Sequence, residues 1–129
     1  MTLLTERRKY RRYRAIDGII TMLGFPSKIM GSILDMSHGG LSFQYIVDNE
    51  PPYESMELDI LYTDKLIYID KVPFKAVFDI DICDGTSSAL FPLRRCGVKF
   101  GELTNEQKGQ LEHLILNYTK KNNVSVYNE

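Results

Sequence analysis

The sequence predicts a mostly-β domain, a closed barrel or a sandwich, finished by one α-helix. Three observations predict it. Short runs rich in Ile, Val, Phe and Tyr recur along most of the chain, turn residues separate them, and only the last part carries apolar residues at helical spacing. At 129 residues, with 43% hydrophobic and 26% charged residues, the chain has the size and composition of one soluble domain around a single core.

The strand candidates, in order, lie in AIDGIITML, SKIMGSILDMS, GLSFQYIVD, ESMELDILY, KLIYIDKVPFKAVFDI and RRCGVKF. Breaks are expected at Gly24-Phe25-Pro26, Gly39-Gly40, Asn49 to Pro52, Thr63-Asp64 and Asp84-Gly85. Six or seven short strands in succession suit a barrel or a sandwich. Thr104 with Gln107 three residues on reads as a capping box, and Leu111, Leu114, Ile115 and Tyr118 then repeat on one helical face. The helix is expected over about residues 104–121, with Lys120 and Lys121 suiting its negative end and the apolar stripe packing on the strands.

Charge is unevenly placed. Residues 1–14 hold Arg7, Arg8, Lys9, Arg11, Arg12 and Arg14 against Glu6, a net of +5, while residues 15–129 hold ten bases and sixteen acids, a net of −6. The division is therefore a basic arm, 1–14, and an acidic body, 15–129. Such an arm either folds onto its own body or recruits an anionic partner.

No window approaches the roughly 20 apolar residues of a membrane helix, and the charged start lacks the apolar run of a signal peptide. The expected location is the cytoplasm, without membrane insertion. Cys83 and Cys96 form no metal or redox motif and read as buried thiols. Asp79 and Asp81 hint at calcium, but the segment fails the EF-hand loop at Cys83, Asp84 and Leu90. His38 and His113 are too isolated for a metal centre. No nucleophile elbow, P-loop or HExxH motif occurs, so no enzyme activity and no cofactor are expected.

Two stretches suggest a ligand site. In an extended chain Asp35 and Ser37 point the same way, with Leu34 and Met36 opposite, and Gly39-Gly40 offers a turn that tolerates positive φ and lets a ligand approach the backbone. Arg8 and Arg12, four apart, share one side of a strand or a helix. An arginine fork matches a phosphate or the O6/N7 edge of guanine, and an ionised Asp35 complements the N–H donors of the Watson–Crick edge. Forks and a carboxylate together describe a guanine nucleotide site.

Arg8-Lys9-Tyr10-Arg11-Arg12 and Asp35-Met36-Ser37-His38-Gly39-Gly40 fit RxxxR and [D/N]xSxxG, the paired signature of the PilZ domain family. RRCGVKFGELTNEQKGQLEHLI, from Arg94 to Ile115, resembles that family's closing strand and the start of its terminal helix. The resemblance implies a six-stranded antiparallel, split β-barrel with a C-terminal helix, in a single-domain member that binds the bacterial second messenger cyclic di-GMP. It assigns ligand contacts to Arg8, Arg12, Asp35, Ser37 and Gly40. Arg7, directly before the first element, implies a second, intercalated ligand molecule per chain. Without an attached effector domain, such a receptor is expected to relay its signal to a downstream protein by ordering its arm, as a monomer or a dimer. Two rivals are a barrel that holds single-stranded nucleic acid with the arm and surface aromatics Tyr10, Tyr13 and Phe43, and a scaffold that works only by protein docking. The acidic body argues against nucleic acid, and the complete motifs argue against a pure scaffold.

Overall fold

The computed structural model describes residues 11–24, 29–46, 57–82 and 93–120. Among the described residues there are seven strands, β1 (Tyr13–Arg14), β2 (Ile19–Leu23), β3 (Ile29–Met36), β4 (Gly40–Ile46), β5 (Glu57–Tyr62), β6 (Ile67–Asp81) and β7 (Leu93–Phe100), with the helix α1 (Asn105–Asn117) last. The order β3-β2-β5-β6-β7-β4 closes on itself through the β3–β4 pairing, and every pairing is antiparallel. The result is a six-stranded barrel, with β1 a short strap on the end of β3, on the side that β2 occupies over Ile29–Ser32. Closure leaves the barrel strands without a free edge, which is how a sheet this small avoids an open edge that could pair with another chain.

The alternation of apolar residues explains the closure. On β4, Leu41, Phe43 and Tyr45 point into the barrel and are buried, and on β7 their pairing partners Val98 and Cys96 do the same. Ile19, Leu23, Leu58, Ile60, Ile69 and Val72 fill the rest of the interior. Phe43 is wholly buried, so it belongs to the core and not to the surface aromatics expected for a nucleic-acid groove. The reason is register: Phe43 pairs with Ile33 and Cys96, both interior positions.

One end of the barrel is closed by a polar network. Arg94 donates through Nε to Asp79 Oδ1 at 3.0 Å and through Nη2 to the Asp79 carbonyl at 2.7 Å, and it also pairs with Asp81. The Tyr45 hydroxyl donates to both Asp79 oxygens at 2.9 Å. Burial, then the hydrogen bond to Asp79, push the Tyr45 phenol well above the ordinary range. Burial and the same aspartate push the Cys96 thiol up to about 12. Asp79 and Asp81 thus serve an arginine. Cys96 is a buried free thiol, and Cys83 lies outside the described residues.

The capping box forms as the sequence predicts: Thr104 Oγ1 accepts from the Gln107 amide at 3.0 Å, and Gln107 Oε1 accepts from the Thr104 amide at 2.9 Å. Leu111, Leu114 and Ile115 are buried against the barrel. Gln107 reaches further and donates to the carbonyls of Asp70 and Lys71 on β6. The helix ends at Asn117, short of the expected 121, because Tyr118 leaves helical dihedrals and the next residues pair with the arm root. Lys120 therefore lies beyond the last turn, its amide donating to the Arg14 carbonyl at 2.8 Å. None of the helices among the described residues is long and apolar enough to cross a membrane.

Candidate nucleotide site

The site forms where β3, β4, β7 and the arm root meet on the outer face of the barrel. The register of β3 shifts between Ile33 and Asp35, an irregularity that resets the side-chain alternation of the strand. Ile33 and Met36 both enter the core, three positions apart, while Asp35 is directed outward beside Ser42. The simple alternation expected from sequence, with Leu34 and Met36 opposite Asp35 and Ser37, fails at this point: Leu34 is half-buried and Ile33 takes the interior place.

Asp35 is buried, and each of its oxygens meets a cation. Arg12 Nη1 donates to Oδ1 at 2.6 Å, and Arg95 Nη2 donates to Oδ2 at 3.2 Å and to Ser42 Oγ at 3.3 Å. Arg12 arrives from the arm because β1 pairs with β3 at Tyr13↔Met36 and Arg14↔Asp35. Its side chain is only 17% exposed. Arg12 is therefore held against the body of the protein, since the buried Asp35 carboxylate needs a cationic partner. Arg7 and Arg8 lie outside the described residues.

Ser37 opens the turn between β3 and β4 and is buried. Its amide donates to the Gly40 carbonyl at 2.8 Å, and its hydroxyl accepts from the Gly39 amide at 3.1 Å. The Gly39 carbonyl in turn accepts from the Phe100 amide at 2.9 Å. The turn is therefore pinned at both ends. Gly40 does not adopt positive φ, which among the described glycines occurs at Gly18 and Gly24. The constraint on Gly40 is close approach instead. A Cβ there would overlap the Val98 carbonyl oxygen and lie 3.2 Å from its carbon. What comes near this backbone is strand β7.

His38 projects from the same turn to α1, its Nε2 2.7 Å from Glu112 Oε1. His113 packs edge-on against Tyr118, with ring centroids 5.8 Å apart. The structure thus brings Arg12, Asp35, Ser37 and Gly40 together and adds Arg95 and Ser42, which sequence reasoning missed. The signal was present in RRCGVKF as an outward row of Arg95, Gly97 and Lys99. Only the registers of β7 on β4 and of β4 on β3 together bring Arg95 beside Asp35.

A profile of the PilZ domain matches residues 6–117. A search of curated proteins found no match. Among solved structures, the PilZ domain with c-di-GMP of YcgR from Escherichia coli is 15% identical, with a TM-score of 0.59 over 87% of this chain and 91% of that one. The MrkH–c-di-GMP complex of K. pneumonia is 13% identical, with a TM-score of 0.66 over 85% of this chain and 51% of MrkH, so the chain spans about half of that protein. These likenesses agree with the closed six-stranded barrel and terminal helix. With the profile covering both signature elements, the closing strand and the helix, the chain belongs to the PilZ domain family.

Proposed function

We propose that this chain is a receptor for cyclic di-GMP, acting in the cytoplasm by binding and not by catalysis, and relaying occupancy to a downstream protein. The observation that carries the reading is the 2.6 Å contact between Arg12 of the first signature element and Asp35 of the second. Two elements 23 residues apart, each suited to a different edge of guanine, converge on one carboxylate. Family membership and the c-di-GMP in the titles of similar structures support the same ligand.

In this reading Asp35 accepts from the guanine Watson–Crick edge, Arg8 and Arg12 bind guanine acceptors and phosphate, and the Ser37–Gly40 turn borders the base. Arg7 serves a second, stacked ligand molecule. The basic arm, residues 1–14, anchored by its Tyr13–Arg14 pairing with β3, closes over the ligand while residues 15–129 remain the barrel and helix, and the ordering of the arm ahead of that anchor is the signal. The single-stranded nucleic acid alternative loses Phe43, one of its three aromatics, to the core.

Calorimetric titration of cyclic di-GMP, with GTP, cyclic di-AMP and a short DNA strand as competitors, tests the class. Guanine-selective binding at a stoichiometry near two is expected, abolished by Arg8→Ala with Arg12→Ala while circular dichroism keeps the barrel signal. Absence of heat with cyclic di-GMP refutes the receptor reading, and a stoichiometry near one removes only the second molecule. Hydrogen exchange across residues 6–14 should slow with ligand; an unchanged rate removes the arm-ordering relay.

A further inference from the structure

We propose that Arg95 is a further ligand-binding arginine of this site, gripping a pair of acceptors on the nucleotide through the fork of its Nε and Nη2; the inference rests on the cyclic dinucleotide reading above. Its position comes from β7. Arg95 pairs with Gln44 and stands two residues from Gly97, the pairing partner of Ser42. That register brings its guanidinium to the free side of Asp35, across from Arg12.

Its bonding is unequal. Arg12 holds Asp35 at 2.6 Å, whereas both bonds of Arg95 Nη2 are long, 3.2 and 3.3 Å, at the far end of the N–H···O range and well beyond a charge-assisted bond. Arg95 Nε is buried and has no hydrogen-bond partner among the described residues. Buried N–H groups are nearly always satisfied, and one that is not calls for a cause. Nε and Nη2 present two parallel N–H bonds, the edge of guanidinium that takes a phosphate or the O6/N7 pair of guanine in bidentate fashion.

An exchange of partners follows from the carboxylate. Both Asp35 oxygens are occupied by guanidinium groups, yet a guanine Watson–Crick edge brings two N–H donors of its own. Each oxygen keeps acceptor capacity beyond one N–H, but the guanine donors compete with the two arginines for it, and the longer, weaker Arg95 contact is the one that yields. Arg95 then keeps its charge beside the site with its fork open, facing a ligand that supplies phosphate oxygens or a purine acceptor edge. A lysine at this position supplies the charge but not the fork.

The test measures cyclic di-GMP affinity by calorimetry for wild type, Arg95→Ala and Arg95→Lys, with thermal melting of each. Both variants should bind about tenfold to one-hundredfold more weakly, with Arg95→Lys melting like wild type and carrying the test if Arg95→Ala is unfolded. Repeating the titrations with the 7-deaza analogue of cyclic di-GMP identifies the acceptor: an equal loss on both ligands assigns phosphate, and a loss confined to cyclic di-GMP assigns O6/N7. Wild-type affinity in Arg95→Lys overturns the proposal, because Arg95 then only neutralises Asp35. Wild-type affinity in both variants overturns it as well. A wild-type protein that binds no cyclic di-GMP removes the underlying receptor reading instead, a result visible before any variant is compared.

Discussion

Replacing Gly40 by alanine separates two roles for the signature glycine: access for a ligand, or room for a neighbouring strand. The added methyl would overlap the Val98 carbonyl oxygen, well inside the 3.0 Å that Cβ atoms respect, and would sit 3.3 Å from Lys99 Cα. All of these neighbours are backbone. They are held in the β4–β7 ladder that runs from Gly40↔Lys99 to Ile46↔Leu93, so nothing can rotate aside and the strand end must separate. Overpacking of this kind costs about 2–3 kcal/mol, and the smaller chain entropy of alanine in the unfolded state returns about 0.4–1 kcal/mol. The net loss, about 1–2.6 kcal/mol, corresponds to roughly 4–10 °C in melting temperature for a domain of this size. Gly97→Ala is the control. Its methyl meets the ring of Phe78, a side chain that can turn away, so its melting temperature should fall less. Differential scanning calorimetry of both variants decides. A Gly40→Ala melting temperature equal to that of wild type, with ligand affinity lost, would refute the packing argument and restore the ligand-access one.

Thr104→Ala deletes the cap acceptor of α1 and should cost about 1 kcal/mol, read as a lower urea midpoint with an unchanged slope; an unchanged midpoint contradicts the role of the capping box. Arg94→Ala leaves the largely buried Asp79 with Tyr45 as its remaining side-chain partner, a loss of about 2–3 kcal/mol, part of which Asp79→Asn in the same chain should recover. The Cys96 thiol, raised from 9.0 to about 12 in the folded protein, ionises first in the unfolded chain. Its contribution is therefore whole below pH 9.0 and is lost as pH climbs toward about 12. Denaturation titrations across that window should show a flatter alkaline decline in Cys96→Ala than in wild type, and equal slopes would contradict the assignment.

The strands and the helix were legible because their signals are local. Each apolar run became a strand, the Thr104–Gln107 pair became a working cap, and Thr63–Lys65 became the 3-10 turn between β5 and β6. The misjudged features depend on pairings between distant residues. The β3 irregularity that breaks the simple alternation at Leu34, with Ile33 and Met36 both in the core, is defined only against β4. Phe43 looked available for stacking until its neighbours were known to be interior. Arg95 lies 60 residues from Asp35, and the local alternation of its strand separates it from Arg94 without saying which residue it meets. Arg94 went to the barrel end and Arg95 to the outer face beside Asp35 because neighbouring residues on a strand point to opposite sides.

That division bears on why a nearly neutral chain gathers its cations at one end. Asp35 is buried, and a buried carboxylate without a partner is strongly unfavourable. Exposed ion pairs contribute little, so charge placed at random on the surface would not compensate it. The fold supplies one arginine from the barrel wall at long range and one from the arm at short range. With two guanidinium groups on one carboxylate, the cluster keeps a net positive charge. In the proposed receptor, a guanine edge that takes up the carboxylate would loosen its hold on that charge, and the phosphates of the same molecule would meet it. Donors and acceptors must therefore arrive together. An isolated base lacks the phosphate acceptors and an isolated phosphate lacks the donors for Asp35, which is why the arrangement favours a nucleotide over either part alone.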